Sequence, residues 1–208
     1  AWVEELEPEL GFERTKILFD VAEDAKAHLL GFAKSHAIDI DYMPGPLSVI
    51  HNPSYFPDYT SHPPAMARYG YHHLTYVYGA ATAQRTGSTR YLGGLRDSGT
   101  GHIHPLKLLI GTAKVAALAG AKLFENSKVT SLNTNGGRVT ATTANGTVTA
   151  KKALIALNAH GGDLEPQSAA HIMPIGSFIG ATEPLPADTS VIPGREAVDD
   201  SRFVVRYF

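Results

Sequence analysis

Cysteine is absent from the 208-residue chain, and several other features are scarce. Without cysteine, the chain has no disulfide, no thiolate zinc ligand and no cysteine nucleophile. The 18 Lys and Arg residues roughly balance the 20 Asp and Glu residues, and they form no basic stripe that would bind a phosphate backbone. We therefore expect no nucleic-acid partner.

Long apolar runs are also missing. No run approaches the roughly 20 residues that a bilayer-spanning helix needs, and no signal peptide opens the sequence. We therefore expect a soluble protein without a membrane partner, in the cytoplasm by default. The chain opens without methionine and stops in the apolar run "RFVVRYF", which predicts that it is a piece of a longer protein.

The remaining composition is that of a globular protein, with 43% hydrophobic and 18% charged residues. From Gly11 to about Ile38, apolar residues recur at the spacing of an amphipathic helix. The prolines from 44 to 64 predict a long irregular segment without a helix, in which "LSVI" is the one candidate strand. Such a segment serves as a lid, a binding loop or an exposed insertion. The apolar positions of the predicted helix are Ile17, Val21, Ala25, Leu29 and Phe32.

Two further helices and a set of strands complete the prediction. Leu74 to Tyr78 is a strand followed by a short helix that ends at Gly87, and residues 106–119 form a helix apolar nearly all round, which must be covered on several sides. Beyond Gly120, "NGG" at 135–137 and "NG" at 145–146 predict two hairpins whose turns require positive φ. Further predicted strands are "AKLFEN", "ALIAL" at 153–157, which should be buried on both faces, "IMPIGSFIGATEPL" and "SRFVVRYF". The class is mixed α/β, of the α+β kind.

The stretch "GHIHPLKL", residues 101–108, has three interpretations. His102 and His104 lie on one side of an extended segment, as two metal ligands would, although a zinc site needs three or four. A dinucleotide loop would use Gly99 and Gly101, but His104 stands where the third glycine belongs. As a helix start, His104 is the cap and Pro105 the first helical residue. The residues alone do not decide among these three interpretations. We assign no metal ligands.

The segment from Tyr91 to Gly162 carries a family resemblance. It contains "YLGGLRDSGTGHIHPLKLLIGTAKVAALAGAKLFENSKVTSL" and then "GTVTAKKALIALNAHGG". These motifs resemble the FAD-dependent oxidoreductases of the D-amino-acid-oxidase-like superfamily, and most closely the γ-glutamylputrescine oxidase branch of amine oxidases. The N-terminal G-x-G-x-x-G unit that binds the FAD pyrophosphate in that family is absent, as is the C-terminal segment that closes over the flavin.

The resemblance implies a fold. It implies part of a Rossmann-like FAD-binding layer with a β-meander, together with an antiparallel substrate-domain sheet. Residues 1–90 would be a helical and loop-rich part of the substrate domain, residues 91–165 the central FAD-binding part, and residues 166–208 substrate-domain strands.

The resemblance also implies a reaction. Such enzymes pass a hydride from the carbon next to an amine nitrogen to FAD; the imine hydrolyses, and dioxygen reoxidises the flavin to give hydrogen peroxide. The expected partners are thus an amine or amino acid and dioxygen, while the oligomeric state is open. Val129, Asn158, Ala159 and His160 match residues near the cofactor, and the catalytic candidates are Arg206, Tyr207 and His104.

Arg206 would bind a carboxylate as a two-pronged donor, and Tyr207 would offer a hydroxyl or a cation–π face. Because side chains alternate along a strand, one of the two is expected to be structural. Two other functions stay open from the residues: an NAD(P)-dependent dehydrogenase that uses the "GTGHIH" turn, and a non-catalytic module that binds a ligand through its tyrosine-rich loop.

Overall fold

The computed structural model describes residues 3–186, 189, 191–202 and 206–208, apart from the side chains of residues 163 and 168. The chain forms two compact units. The first comprises residues 1–120 and 186–208, and the second residues 121–185. Both helices and several sheets are present, which confirms the mixed α/β class. No helix in the described ranges is both long and apolar enough to cross a membrane.

The first unit is built around a four-stranded sheet. The strands are β2 (Leu47–Ile50), β3 (Leu74–Tyr78), β4 (Gly93–Asp97) and β9 (Val198–Asp200), in the order β3-β4-β2-β9. The β3-β4 and β4-β2 pairs are antiparallel and the β2-β9 pair is parallel. Because β2 is central and apolar, its residues are buried on both faces of the sheet. One face packs Leu47, Val49, Val77 and Val198 together, and the other packs Ile50 and Leu95 with Tyr59.

The first unit also contains five helices and a short ladder. The ladder joins β1 (Met43–Pro44) and β5 (Gly101–His102), which are antiparallel. The strands predicted at "LSVI" and at Leu74–Tyr78 are confirmed, and so is the short helix that ends at Gly87, whose φ is 65°. The ranges are α1 (Val3–Leu10), α2 (Phe12–Ser35), β1 (Met43–Pro44), α3 (Phe56–Arg68), α4 (Gly79–Thr86), β5 (Gly101–His102) and α5 (Pro105–Leu118).

The predicted amphipathic helix exists as α2, but its buried side differs from the predicted one. Ile17 and Val21 are 62% and 60% exposed, whereas Thr15 and Ala33 are buried. Aromatic packing selects this side, since the ring of Phe19 lies 5.7 Å from that of Tyr69. A large aromatic contact buries more apolar area than the two aliphatic side chains would.

The proline-rich segment contains a helix, so the prediction of an irregular excursion is wrong. After a 3-10 turn at Pro53–Tyr55, α3 runs through Pro63 and Pro64. Each proline removes one backbone donor, and Pro64 thereby frees the carbonyl of Thr60. The hydroxyl of Tyr76 on β3 donates to that carbonyl at 2.8 Å. Packing of Tyr59 against the sheet and this hydrogen bond compensate for the prolines.

Replacing Tyr76 with phenylalanine is expected to lower the free energy of unfolding by about 1 kcal/mol, because the Thr60 carbonyl loses its donor. Tyr78 is the matched control. Its ring stacks on that of Tyr76, but its hydroxyl has no hydrogen-bond partner among the described residues. Chemical denaturation of both Tyr→Phe variants measures the difference, and equal losses would show that the hydroxyl does not support α3.

The apolar helix predicted at residues 106–119 is α5, and its start is confirmed: His104 is the cap and Pro105 the first helical residue. The expected burial on several sides is wrong for the described structure, since Leu109 is 64% and Leu118 89% exposed. One close contact exists at Gly111, where an added Cβ would lie 2.3 Å from Ile38 Cγ2.

The second unit contains the predicted meander. Its strands β6 (Val129–Asn135), β7 (Arg138–Thr143) and β8 (Gly146–Ala150) pair in sequence as antiparallel hairpins. The first turn has φ of 57° at Gly136 and 73° at Gly137, as predicted. The second turn does not have the expected positive φ, because Gly146 already belongs to β8 and pairs with Thr143.

Three predicted strands are wrong in this unit: those at "AKLFEN", at residues 153–157 and at "IMPIGSFIGATEPL" have no strand pairing. Leu154 is 91% exposed and Ile179 98% exposed. An apolar run becomes a strand when a neighbouring strand satisfies its backbone donors and acceptors, and the described part of this unit supplies no pairing strand for these runs. A short helix, α6 (Pro166–Ala169), lies between them.

Candidate functional site

The chain turns sharply at Asn158, directly after the apolar run 153–157. Asn158 has φ of 49°, in the left-handed region that asparagine tolerates better than most residues. Residues Asn158–His160 and Gly162–Leu164 form two successive 3-10 turns. The predicted strand-to-helix corner is therefore a pair of tight turns, with α6 following.

A cavity of about 500 Å³ lies beside this corner. Asn158 and Ala159 are on its wall, whereas His160 is exposed and is not a lining residue. Most lining side chains are aliphatic, and Glu165 is the charged residue on the wall. A flat, uncharged ring suits such a surface better than a pyrophosphate, because a carboxylate repels a dianion.

Val129, the fourth residue predicted near the cofactor, belongs to the same unit as the Asn158 corner. It is half-buried at the start of β6 and pairs with Thr143, next to a register shift between residues 129 and 131. Strand β6 packs against the Gly162–Leu164 turn. The structure thus brings the strand of Val129 and the turns after Asn158 together.

Arg206 and Tyr207 belong to the first unit. Residues 203–205 of the predicted strand lie outside the described residues. The backbone of Arg206 exchanges hydrogen bonds with Asp200, and Tyr207 forms an isolated antiparallel bridge with Asp199. Both side chains are exposed, Tyr207 by 76%.

His104 lies on a second cavity, of about 570 Å³, in the first unit. Its backbone N–H donates to the Ile40 carbonyl at 2.7 Å, and its ring makes no capping hydrogen bond to α5. His102, Asp41 and Arg195 also line this cavity. Arg195 was not predicted from the sequence, because it is distant along the chain and stands in no motif.

The glycine turn of residues 99–101 is packed against protein. A Cβ added to Gly99 would lie 2.6 Å from the Tyr71 hydroxyl, and one added to Gly101 would lie 2.4 Å from the Met43 carbonyl. The preceding strand β4 pairs only with antiparallel neighbours in the described sheet, whereas a dinucleotide fold needs a parallel βαβ unit. The dehydrogenase interpretation of "GTGHIH" is therefore wrong.

Metal binding finds no support at His102 and His104. The described residues contain no group of three or more His, Asp or Glu side chains that could hold a metal ion. The two histidines share a cavity with one carboxylate, and that carboxylate is held by Lys107 at 2.6 Å.

A third cavity, of about 590 Å³ in the first unit, has acidic and tyrosine residues on its wall. Burial raises the pKa of Tyr59 to about 12, so its hydroxyl stays protonated. Burial also raises the pKa of Asp199, which the hydrogen bond from the Ser48 hydroxyl at 2.8 Å partly offsets. The folded chain therefore binds the Asp199 proton more tightly than the unfolded chain.

Asp199→Asn is expected to raise the melting temperature at pH 7. An acid with a raised folded-state pKa stabilises the fold below its ordinary pKa and loses that contribution as the pH rises through the raised value. The gain should shrink in melts below the ordinary aspartate pKa of 3.8. Asp24→Asn, at an exposed carboxyl of α2, is the control. A gain that is equal at both pH values would contradict the assignment.

Comparison with known proteins identifies the family. The family model described as FAD dependent oxidoreductase matches residues 2–208. The chain belongs to this family. The resemblance seen in the sequence is confirmed, and FAD is the cofactor of the FAD-dependent oxidoreductases.

Two curated relatives of the family were compared with the chain. It is 54% identical, over its full length, to the probable oxidoreductase OrdL of Rhizobium meliloti strain 1021. It is 33% identical, over 99% of its length, to gamma-glutamylputrescine oxidoreductase of Escherichia coli K12. In both cases the chain covers 49% of the relative, so it spans about half the length of these oxidoreductases.

Solved structures of FAD-dependent oxidoreductases share the fold. Glycine oxidase from Geobacillus kaustophilus superposes with a TM-score of 0.64 at 20% identity, over 73% of this chain and 42% of that one. L-proline dehydrogenase from P. horikoshii gives a TM-score of 0.64 at 13% identity, over 86% and 49%. At these identities the likeness establishes the fold alone.

The residues beside Asn158 fit part of the family's cofactor. The mostly aliphatic wall suits a ring of FAD, whereas the pyrophosphate needs backbone donors or cationic groups, and the charged residue on this wall is the acidic Glu165. The G-x-G-x-x-G unit that provides such donors is absent from this sequence. Val129, Asn158 and Ala159 are therefore candidates for the edge of a cofactor site and not for its phosphate-binding part.

Proposed function

We propose that this chain forms part of an enzyme that oxidises the C–N bond of an amine or an amino acid. The observation that carries the proposal is the 33% identity to gamma-glutamylputrescine oxidoreductase over 99% of the chain. That relative is named for a substrate that contains an amine. We also propose the cytoplasm as the compartment.

The reaction follows from the cofactor class. FAD, when bound, would supply a two-electron acceptor: the substrate would lose a hydride from the carbon next to nitrogen and a proton from the nitrogen, and dioxygen would take up the two electrons with two protons to leave as hydrogen peroxide. The oxidised substrate is an imine, which water hydrolyses to a carbonyl product and ammonia or an amine. The protein must bind the substrate, orient it and exclude bulk water, so no strong protein base is required.

The cofactor role is proposed for Val129, Asn158, Ala159 and His160. The Asn158 corner is a tight, exposed turn beside a mostly aliphatic cavity, where an aromatic ring would gain contacts with aliphatic side chains. The backbone of β6 at Val129 lies in the same unit, which supports a shared role. His160, exposed and off the cavity wall, would contact the cofactor from the adjoining surface.

The substrate role is proposed for Arg206, Tyr207 and His104. Arg206 would bind a carboxylate with two parallel N–H donors, and the Tyr207 hydroxyl or ring would contact an amine. Their exposure leaves both side chains free to engage a ligand. We also propose the domain division predicted from the sequence. Residues 1–90 and 166–208 would belong to the substrate domain, and residues 91–165 to the cofactor-binding part.

A chimaeric oxidase tests this function without assuming where the natural chain begins or ends. The 208 residues replace the corresponding segment of the Rhizobium OrdL relative, to which they are 54% identical. We expect the purified chimaera to release hydrogen peroxide with an amine substrate such as gamma-glutamylputrescine. The control substrate replaces the reacting amine with a hydroxyl.

Peroxide release that is equal for the amine and its hydroxyl counterpart would contradict C–N oxidation. A folded chimaera that holds FAD and yet oxidises no amine or amino acid from a broad panel would also contradict it. The parent OrdL protein, purified in parallel, shows whether the panel contains a usable substrate.

A further inference from the structure

The cavity at His104 is distinct from the cavity beside Asn158, because it is formed wholly within the first unit. Its wall combines charged, imidazole and apolar groups. The apolar part comes from Tyr42, Met43, Ile103 and Pro105, and the polar part from Asp41, His102, His104 and Arg195. A pocket with an apolar surface and a few converging polar groups is the usual form of a small-molecule site.

Arg195 is the most unusual residue of this cavity. Its φ is 53°, a left-handed conformation that is unfavourable for a residue with a long side chain. Asp41 on the same wall has φ of 50°. In the part of the chain that the structure describes, the Arg195 guanidinium has no hydrogen-bond or ion-pair partner. A strained backbone thus presents an unpaired two-pronged donor to the cavity.

His102 adds a second unsatisfied polar group. Its Nδ1 atom is buried and has no hydrogen-bond partner. A buried ring nitrogen without a partner costs free energy, and the imidazole that carries it lies on the cavity wall. The backbone of His102 is held because β5 pairs with β1, and Gly101 before it packs against the Tyr42 ring.

The start of α5 contributes further donors. Pro105 has no N–H, and Leu108 donates to the His104 carbonyl. The N–H groups of Leu106 and Lys107 precede the first intrahelical bond and have no acceptor within the helix. Together with Arg195 they favour a negatively charged ligand group at this end of the cavity.

Asp41 limits how much negative charge the cavity accepts. Its hydrogen bond from Lys107 lowers its pKa, and the nearby His104 and Arg195 lower it further, so the carboxylate is ionised at neutral pH. A dianion such as phosphate would meet this fixed negative charge, whereas a single carboxylate bonded to Arg195 would not exceed the available positive charge. The adjoining apolar wall suits an aliphatic tail.

We propose that the cavity formed by residues 41–43, 102–105 and Arg195 binds a small monocarboxylate with an apolar tail. The guanidinium of Arg195 holds the carboxylate with two N–H donors, His102 and His104 line the site, and Tyr42, Met43 and Ile103 cover the tail. This inference does not depend on the proposed oxidation, because it concerns binding within the first unit of the chain.

The test is a titration of the 208-residue chain with hexanoate, followed by nuclear magnetic resonance of the histidine ring protons. We expect saturable shifts at His102 and His104. Hexanamide, which has the same shape without the charge, and hexylammonium, which has the opposite charge, should bind at least tenfold more weakly. Inorganic phosphate should also bind more weakly than hexanoate.

Arg195→Asn is the decisive variant, since asparagine tolerates the left-handed conformation and removes the guanidinium. Its affinity for hexanoate should be about tenfold or more below that of the wild type. The affinity of Arg195→Lys should lie between those of the wild type and Arg195→Asn. Arg90→Asn, at an exposed arginine of a turn, is the matched control and should bind as the wild type does.

Several outcomes would overturn the proposal: equal binding of hexanamide, preference for hexylammonium or phosphate, unchanged affinity in Arg195→Asn, or shifts confined to other histidines. Circular dichroism melts establish that each variant is folded. If Arg195→Asn does not fold, Arg195→Lys decides, because affinity equal to the wild type would exclude a two-pronged contact.

Discussion

Glu196→Gln is expected to lower the free energy of unfolding by about 2 kcal/mol, the range for hydrogen bonds to a charged group, because the carboxylate is buried while its arginine partners are 40% and 30% exposed. The Glu196 side chain is 3% exposed and accepts hydrogen bonds at one oxygen from Arg85 and from Arg96, the latter at 3.0 Å. These arginines belong to α4 and β4, so the carboxylate ties a helix and a central strand to the segment before β9. A neutral amide would leave two cations without their shared counter-charge.

Asp20→Asn is the matched control for this variant. Asp20 pairs with Lys16 one turn away on α2, and its side chain is 53% exposed. Exposed pairs contribute at most about 1 kcal/mol, because water screens them. Urea denaturation of both variants measures the contrast, and a Glu196→Gln protein as stable as Asp20→Asn would refute the bridging role.

Gly94→Ala is expected to cost about 3 kcal/mol, the upper end for overpacking a core. Gly94 lies in β4 between β2 and β3. A Cβ there would lie 2.3 Å from the Ser48 carbonyl oxygen and 3.1 Å from Val49 Cα. Both are backbone atoms of the neighbouring strand, so no side-chain rotation relieves the clash and the strands must separate.

Gly31→Ala, in the same unit, is expected to have the opposite effect on stability. Gly31 lies inside α2, and no atom stands within 4 Å of an added Cβ. Alanine should therefore raise stability by up to about 1 kcal/mol through its helix propensity. Thermal melts of the two glycine variants should shift in opposite directions. A Gly94→Ala chain that melts at or above the wild-type temperature would show that the sheet is not packed as described.

Local signals in the sequence predicted much of the fold. Helix α2, the start of α5, strands β2 and β3 and the meander depend on spacing, capping and turn residues that act within a few positions. Prediction failed where residues that are distant in the sequence determine the local structure. Helix α3 persists through Pro63 and Pro64 because Tyr76, more than ten residues away, donates to the Thr60 carbonyl.

The apolar runs show the opposite error. The run 153–157 and the side chains of α5 were expected to be buried, because aliphatic residues usually are. Leu154 and Leu118 are 91% and 89% exposed in the described structure. Burial depends on a partner surface, and a hydrophobic pattern does not specify whether the same 208 residues provide that surface.

The candidate sites show the same contrast between local signals and partners that are distant in the sequence. The Asn158 corner was predicted from its motif and does lie beside a cavity. Arg195 and Glu196 were missed, because two adjacent charged residues between Gly194 and Ala197 give no pattern. Only the fold brings Arg195 to the cavity of His104 and Glu196 to Arg85 and Arg96. Their long-range partners are the signal that a single sequence lacks.

The most direct measurement of the central proposal is anaerobic mixing of the chimaeric oxidase with an amine substrate, while the flavin absorption is recorded. We predict that the chimaera binds one FAD per chain and that the amine bleaches the oxidised flavin bands before oxygen restores them. A chimaera that folds without binding FAD, or whose bound flavin keeps its oxidised spectrum with every amine and amino acid that bleaches the parent OrdL protein, would contradict the account.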